Sequence, residues 1–172
     1  FPLPLRQNFM YGFGYRYYPD EYFNKEPLWI SYDPATRHSQ LFSSFINDEI
    51  ALIEDKLKLT IGTKIEHNDF TGWEFQPSGR LSWSLADHQV LWAAISRAVQ
   101  VPARSANDIH VLLPVEPVPA GPPPQPPFPL FFTGSGNRDL DSHELIAYEL
   151  GYRVQPLDRL SFDLAGFYNQ YS

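Results

Sequence analysis

Strict alternation of apolar and polar residues is the feature that most constrains this chain. Between Leu57 and Asn68 the odd positions carry Leu57, Leu59 and Ile61, whereas the even positions 58, 60, 64 and 66 carry charged or hydroxyl side chains. Successive side chains of a β-strand point to opposite faces of the sheet. The stretch therefore predicts a strand with one apolar and one polar face. Two further runs of the same kind follow, at 75–85 and from Gln89 onward.

The length of these runs bears on where the sheet lies. They extend over about ten to twelve residues, whereas about five or six is typical of soluble sheets. A strand that crosses a bilayer at a tilt needs roughly nine to eleven residues. The mean hydropathy is −0.33, and no run of about eighteen apolar residues is present, which excludes membrane-spanning helices. Membrane barrels remain compatible, because only half of each strand is apolar.

The pattern along the whole chain predicts about seven antiparallel strands. The connections between them alternate between short turns and long loops, with the longest at about 101–142, and this asymmetry is typical of outer-membrane barrels whose long loops are extracellular. We expect an all-β fold: an antiparallel up-and-down meander of about seven long strands, part of a larger transmembrane β-barrel. The expected strands begin near Phe9, Ser39, Leu57, Phe75, Gln89, Glu144 and Leu160.

The loops have their own patterns. Residues 114–129 hold many of the 17 prolines and are expected to be extended or disordered, because proline cannot donate to a ladder. The first long loop, 20–38, includes a short extra strand at Trp29–Tyr32. The net charge of −7 argues against nucleic-acid partners, which select basic surfaces.

Alternation assigns charged residues to one side of the sheet and aromatic residues to the other. In a barrel the charged side faces a wet lumen and the aromatic side forms an interfacial girdle against lipid. The same charges are also consistent with the polar inner wall that any wide barrel needs. The lumen-facing charges are Arg16, Lys64, Glu66, Arg80, Arg97, Glu149 and Arg153. The lipid-facing girdle is Tyr15, Tyr17, Trp83, Trp92 and Tyr152.

No catalytic motif is found, so we expect no enzyme activity and no cofactor. The histidines match no zinc or calcium spacing, which predicts no metal site. Loops carry function disproportionately, and their aromatic and imidazole side chains are the candidates for ligand contact, although hydrophobic tethering of the loop explains the aromatic ones equally well. The candidates are Tyr22, Phe23, Trp29, Tyr32, His110 and His143.

Several segments, taken in order, resemble the barrel of TonB-dependent outer-membrane receptors. The closest similarity is Gly136-Asn137, Leu140 and Glu144–Arg153, ending at Phe167-Tyr168-Asn169. The other matching segments are 43–50, 57–66, 76–81 and 91–102. Two positions depart from the family pattern, Arg138 where proline is usual and His143 where an acid is common. Both lie at a loop edge and bear on the loop surface only.

The resemblance implies a barrel of the 22-stranded type in the outer membrane of a Gram-negative cell, of which 1–172 is a part without the plug domain. It further implies import of a ferric siderophore, cobalamin or a similar large nutrient. The partners that it implies are outer-membrane lipid, the remaining barrel and plug, the TonB energy-coupling complex acting through the plug, and an iron-chelate ligand.

Two other classes remain open from the residues. One is a soluble β-meander or small closed barrel that binds an apolar ligand, in which the apolar faces point inward and Lys64, Arg80 and Arg153 face water. The other is a small outer-membrane barrel enzyme, for which the sequence offers no catalytic constellation.

Overall fold

The computed structural model describes residues 6–23, 29–115 and 130–172. Strands account for nearly all of the regular structure. The elements are β1 (Gln7–Glu21), β2 (Ile30–Tyr32), β3 (Thr36–Ile53), β4 (Leu57–Asn68), β5 (Gly72–Ala86), β6 (Gln89–Gln100), α1 (Arg104–Asp108), β7 (Ile109–Val115), β8 (Leu130–Ser135), β9 (His143–Leu157) and β10 (Leu160–Tyr171).

Seven of these strands form one sheet in the order β1-β3-β4-β5-β6-β9-β10. The ladders from β3 through β10 of this sheet are antiparallel. Its strands follow one another in chain order, apart from the strands that belong to a second sheet. The predicted meander of seven long strands is confirmed.

Side-chain hydrogen bonds and a glycine allow a short turn between β4 and β5. The β4–β5 connection occupies only residues 69–71. The Asn68 side chain explains this, because its Oδ1 accepts hydrogen bonds from the backbone N–H groups of Phe70 and Thr71 at 2.8 and 2.9 Å. Gly72 then adopts a φ of 77°, in the left-handed region that glycine enters without strain.

The second sheet has three strands in the order β2-β7-β8, preceded by the short helix α1. The extra strand expected near Trp29–Tyr32 is β2. Pro114 was expected to lie outside any ladder, but in β7 it pairs with Phe131 of β8. Among the described residues, β2 pairs with Ile109–Val111, and none of them forms a strand on that side of Pro114 that needs its missing N–H. The rest of the proline-rich stretch, 116–129, lies outside the described residues.

The chain divides into two compact units. The first comprises 1–16, 41–101 and 142–172, and contains most of the seven-stranded sheet. The second comprises 17–40 and 102–141, and contains the three-stranded sheet with α1. Among the described residues, no helix is long and apolar enough to cross a membrane.

The seven-stranded sheet does not enclose an apolar core. Within the described ranges Ala147 is the single buried hydrophobic residue, and large apolar side chains such as Phe13, Leu150 and Leu164 are exposed. The soluble small-barrel alternative required these side chains to gather in an interior. That arrangement is absent from the part of the chain that the structure describes, so this alternative is not favoured.

Candidate functional site

The ladder registers define two chemically distinct faces of the seven-stranded sheet in the first unit. Leu59 lies opposite Leu81, and Ile65 lies opposite Phe75. Directly opposed residues point to the same side, so these apolar side chains share one surface, which we call the apolar face. The alternate residues, among them Thr60 opposite Arg80, form the polar face.

Charged side chains of the polar face pair with one another along and across strands. Lys64 Nζ lies 2.8 Å from Glu66 Oε1, and Gln76 Nε2 donates to Glu66 Oε2 at 2.7 Å. Arg153 of β9 forms an ion pair with Asp163 of β10. Lys64, Arg153 and Asp163 are exposed, and Glu66 is partly exposed, at 15% of its side chain. The polar face is therefore a hydrated, ion-paired surface rather than a site for one specific charge.

Six of the seven predicted lumen-facing charges lie on this polar face. The registers place Lys64, Glu66, Arg80, Glu149 and Arg153 there, and alternation along β1 places Arg16 with Gly12 and Gly14. An added Cβ at those two glycines would meet Phe45 and Ser43 of β3, whose cross-strand partners are Lys64 and Glu66.

The assignment of Trp92 to the girdle was wrong. A regular two-residue turn at Asp87–His88 would pair Trp83 directly with Trp92. The β5–β6 ladder instead shifts register between Ser84 and Ala86, so Trp83 lies opposite Leu91 and Ser82 lies opposite Trp92. A bulge of this kind adds one residue to one strand and reverses the faces beyond it. Trp92 is on the polar face, where the Arg80 guanidinium carbon lies 4.4 Å from its ring centroid.

The prediction that Arg97 faces the lumen was wrong for the same reason. Arg97 lies on the apolar face, opposite Ile146. Its side chain is neutralised locally. Nε donates to Glu144 Oε2 at 3.2 Å and Nη2 bonds Glu144 Oε1, while Nη1 donates to the backbone carbonyl of Phe75. A bidentate pair of this kind makes a charge tolerable on an otherwise apolar surface.

The remaining girdle residues have the predicted alternation. Trp83 and Tyr152 both lie opposite Leu91 on the apolar face, and the Tyr152 hydroxyl donates to Gln89 Oε1 at 3.2 Å. Tyr15 belongs to the first unit and Tyr17 to the second. There, Tyr17 stacks on His38 with ring centroids 5.8 Å apart.

In the second unit, a buried carboxylate is surrounded by arginines. The side chain of Asp108, the last residue of α1, has 0% exposure. Its Oδ2 lies 2.7 Å from Arg37 Nη1 and 3.5 Å from Arg104 Nε, and its Oδ1 lies 3.2 Å from Arg138 Nε. Burial by itself raises the pKa of Asp108, but the Arg37 hydrogen bond and the Arg37 and Arg138 charges outweigh burial and hold that pKa below its ordinary value.

Arg104 connects this carboxylate to the aromatic part of the second unit. Its Nη1 lies 2.7 Å from Asp20 Oδ2, and its guanidinium carbon lies 4.9 Å from the Tyr22 ring centroid and 5.5 Å from that of Tyr32. The two tyrosine rings stack at 3.9 Å. Burial and the neighbouring Tyr22 raise the pKa of Tyr32. Asp108, Arg37, Arg104, Arg138 and Asp20 together form what we call the charge hub.

Backbone contacts hold the segment after β8 against α1. Gly136 N–H donates to the Ile109 carbonyl at 2.7 Å, and Asn137 N–H donates to the Ala106 carbonyl at 2.9 Å. A Cβ at Gly136 would lie 2.6 Å from the Asn107 carbonyl carbon and oxygen. Glycine is therefore required at this close approach of two backbones, which gives a physical reason for the Gly136-Asn137 pair noted in the sequence.

A scan against protein families gives a match over the entire chain. The model for the TonB dependent receptor-like β-barrel matches residues 1–172. The chain belongs to this family.

Solved TonB-dependent receptors share the fold of this family member. A variant of the ferric enterobactin receptor PfeA from Pseudomonas aeruginosa, in complex with enterobactin, is 22% identical with a TM-score of 0.73, covering 99% of this chain and 25% of that chain. The siderophore receptor PirA from Pseudomonas aeruginosa is 19% identical with a TM-score of 0.74, covering 99% and 30%. PirA from Acinetobacter baumannii is 19% identical with a TM-score of 0.68, covering 99% and 25%.

The chain thus spans 25 to 30% of the length of these solved receptors. A search of curated proteins finds no match to the sequence.

Within this TonB-dependent receptor-like chain, the predicted loop candidates separate into four groups. Tyr22 and Tyr32 pack on each other and on Arg104, and so they tether the second unit. Phe23 and Trp29 are exposed. His143 is the first residue of β9, where it pairs with Gln100, rather than a member of the long loop.

His110 of the TonB-dependent receptor-like chain lies on the three-stranded sheet between Ser31 and Ser135. The three side chains share one face and border a depression of about 280 Å³ that also includes Thr133 and Leu112. Among the described residues, no group of three or more His, Cys, Asp or Glu side chains could hold a metal ion.

The charge hub of this family member was missed by sequence reasoning. Arg37, Arg104, Asp108 and Arg138 are separated by up to about a hundred positions and lie in segments interpreted as loops. A weak signal was present: Arg104 and Asp108 are four residues apart, the spacing of an ion pair on a helix, and the helix itself is only five residues long.

Proposed function

We propose that this chain is part of an outer-membrane receptor that imports a ferric siderophore or a similarly large nutrient. In this proposal the apolar face contacts lipid and the polar face borders a water-filled lumen. One observation carries the proposal: a sheet of seven long strands has two surfaces of opposite chemistry, and its large apolar side chains are exposed rather than gathered into a core. In water such a surface would be an aggregation liability, whereas hydrocarbon is its favourable solvent.

The chemistry of the two faces supports this orientation. Polar-face charges such as Lys64 and Glu66 are paired but partly exposed, as expected for groups beside water. Arg97 on the apolar face is instead bound on three sides, by both oxygens of Glu144 and by the Phe75 carbonyl. A charge next to hydrocarbon requires such local pairing, whereas a charge in a lumen does not.

The ligand class comes from the similar solved structures, which are siderophore receptors and, in one case, a complex with enterobactin. For this chain the ligand contacts belong to the exposed loop candidates Phe23, Trp29 and His110. A cobalamin-like nutrient is the alternative cargo, since the family fold serves both. The remaining barrel, the plug domain and the TonB complex are the proposed partners, and the cell outer membrane is the proposed location.

The topology is tested by labelling single cysteines in a chain that has none of its own. Asp139→Cys lies in the second unit, and Asp158→Cys lies in the β9–β10 turn. A membrane-impermeant maleimide applied to intact cells should label Asp139→Cys at once and Asp158→Cys only after the outer membrane is permeabilised. Labelling of Asp158→Cys alone would reverse the topology, and equal labelling of both would contradict a membrane-spanning sheet.

Cargo is tested by binding of radiolabelled ferric enterobactin, a hydroxamate iron chelate and cobalamin to cells that express the intact receptor. Phe23→Ala with Trp29→Ala should weaken binding of the cognate cargo, because both rings are exposed in the second unit. Phe162→Ala on the apolar face is the matched control and should leave binding unchanged. Failure of the receptor to bind any of the three cargo classes would contradict the proposed substrate class.

A further inference from the structure

One mostly enclosed arginine of the second unit binds three segments of the chain at once. The side chain of Arg104 in α1 is 10% exposed, and its Nη1 lies 2.7 Å from Asp20 Oδ2 near the end of β1. Its Nη2 donates to the backbone carbonyls of Pro34 and Ala35, at 2.6 and 3.0 Å. Arg104 thus holds the end of β1 and the residues that follow β2 against α1.

The same guanidinium covers a pair of stacked tyrosines. Its carbon lies 4.9 Å from the Tyr22 ring centroid and 5.5 Å from that of Tyr32, within the range in which an aromatic face attracts a cation. The two rings lie 3.9 Å apart with an angle of 13° between their planes, and the Tyr22 backbone N–H donates to the Ala35 carbonyl at 2.9 Å. Arg104, Tyr22 and Tyr32 therefore form one packed group, which we call the aromatic clamp.

The aromatic clamp lies next to the two exposed rings that the proposed function assigns to ligand contact. Phe23 follows Tyr22 directly in the chain, and its ring is exposed. Trp29 is three residues before Tyr32, its ring is exposed, and its backbone carbonyl accepts a hydrogen bond from the Leu112 N–H at 2.8 Å. The clamp therefore joins the two backbone segments that carry these rings, while the rings themselves stay open to solvent.

We infer that Arg104 is a positioning residue for cargo binding: through the Tyr22–Tyr32 stack it fixes the relative placement of Phe23 and Trp29 before the cargo arrives. A site that already has its bound arrangement avoids the entropy cost of ordering loops and side chains on association. Arginine suits this role, because its planar guanidinium stacks on aromatic rings while its N–H groups bind oxygens. The inference rests on the proposed function, since it takes both exposed rings to contact the cargo.

A second arginine of the charge hub offers a matched control. Arg138 Nε donates to Asp108 Oδ1 at 3.2 Å, and its Nη2 donates to the Asp33 carbonyl. Within the described ranges, the arginine over the Tyr22 and Tyr32 rings is Arg104 and not Arg138. Replacement of Arg138 therefore weakens the hub and leaves the aromatic clamp in place.

The first test measures the distance between spin labels at Phe23→Cys and Trp29→Cys in an intact receptor without other cysteines, by dipolar electron paramagnetic resonance. Arg104→Met should broaden the distance distribution, because it removes both the ion pairs and the stacking. Arg104→Lys should broaden it as well, since an ammonium group keeps the charge but lacks the planar fork. Arg138→Gln should leave the distribution unchanged, as should Tyr22→Phe, which keeps the stacked ring.

The second test measures binding of radiolabelled ferric enterobactin, a hydroxamate iron chelate and cobalamin to cells that express the intact receptor without labels. Arg104→Met should weaken binding of the cognate cargo about tenfold, the cost of ordering two aromatic side chains during association. In a receptor that already carries Phe23→Ala and Trp29→Ala, Arg104→Met should weaken binding no further, because the rings through which it acts are gone. A general structural defect would instead add its own loss to that of the ring substitutions.

Two results would overturn the inference: an unchanged distance distribution in Arg104→Met, or affinity losses that simply add in the combined variant. Heat-modifiable migration on gels confirms that each variant has assembled, and Arg104→Lys replaces Arg104→Met in both tests if the latter does not assemble. A receptor that binds none of the three cargo classes contradicts the proposed function, and the distance distribution then still decides whether Arg104 holds the two segments. Normal cargo binding with an unchanged distribution refutes the positioning role alone.

Discussion

The two units of this chain are stabilised by opposite means. In the first unit, seven strands are joined by backbone ladders, both faces remain exposed, and the ion pairs are mostly at the surface, as in Arg153 with Asp163, whose side chains are 64% and 46% exposed. In the second unit, a carboxylate with no exposure sits among three guanidinium groups.

This difference shows that the location of charge, not its amount, separates the roles of the two units. An ion pair exposed to water contributes about 0–1 kcal/mol to stability. Charged residues of the polar face can therefore be replaced without unfolding the sheet. A buried charge is different, because removal of one partner leaves the others uncompensated. The second unit is consequently specified by a few side chains, and the first by the repeated alternation of its strands.

The largest effect is expected from the charge hub. Asp108→Ala leaves Arg37 and Arg138 without their carboxylate and Arg104 with Asp20 alone, which should cost about 3–5 kcal/mol. Amide hydrogen exchange of the intact receptor should show lost protection in α1 and β7, with β4 and β5 unchanged. Unchanged protection in α1 would contradict the role of the hub. Asp108→Asn, which keeps the shape, is the comparison for charge alone.

The next effect tests the faces of the first unit. Leu81→Arg places a charge on the apolar face of β5, where lipid contact should make it cost about 2–4 kcal/mol near the bilayer midplane. Ser82→Arg, one residue along on the polar face, should cost little. The measurement is the fraction of receptor assembled in the outer membrane, judged by heat-modifiable migration. A greater loss for Ser82→Arg would invert the faces.

A smaller effect is expected where two backbones meet in the second unit. Gly136→Ala brings a Cβ to 2.6 Å from the Asn107 carbonyl, and overpacking of this kind costs about 1–3 kcal/mol. Gly134→Ala is the control, since its Cβ would lie 3.9 Å from the nearest atom. Protease resistance of the 102–115 segment should fall for Gly136→Ala only; equal resistance in both variants would refute the close approach.

The smallest effect is expected from a polar-face ion pair. Arg153→Ala removes the partner of Asp163, but both groups are largely hydrated, so stability should change by less than about 1 kcal/mol. Denaturant unfolding of the intact receptor in detergent measures it. A loss as large as that of Asp108→Ala would mean that the polar face is buried rather than wet.

The sequence was sufficient to predict most of the seven-stranded sheet, because side-chain alternation is a local signal. The residues between Leu57 and Asn68 indicate that a strand is present, how long it is, and on which face each side chain lies. The prediction of the faces failed at Trp92 and Arg97. The register shift between Ser84 and Ala86 depends on how a two-residue turn joins twisted strands, which alternation does not indicate. Alternation in β6 is also weak, with Val90 and Leu91 adjacent and equally apolar.

The second unit was largely beyond prediction for a different reason. Asp108 and Arg138 are thirty positions apart, and Asp108 and Arg37 are seventy-one apart, so their contact depends on the three-dimensional path of the chain. Helix α1 has five residues, too few for a periodic signal. Pro114 favoured a segment outside any ladder, yet it pairs with Phe131 of β8.

The orientation of the two faces is tested most directly by spin labels at four successive positions of β5 in the membrane-embedded receptor: Leu81, Ser82, Trp83 and Ser84, each replaced by cysteine. Collision with dissolved oxygen reports hydrocarbon, and collision with a water-soluble nickel chelate reports water. The structure predicts oxygen accessibility at positions 81 and 83 and nickel accessibility at 82 and 84. The opposite phase, or four equal values, would contradict the assignment of the apolar face to lipid.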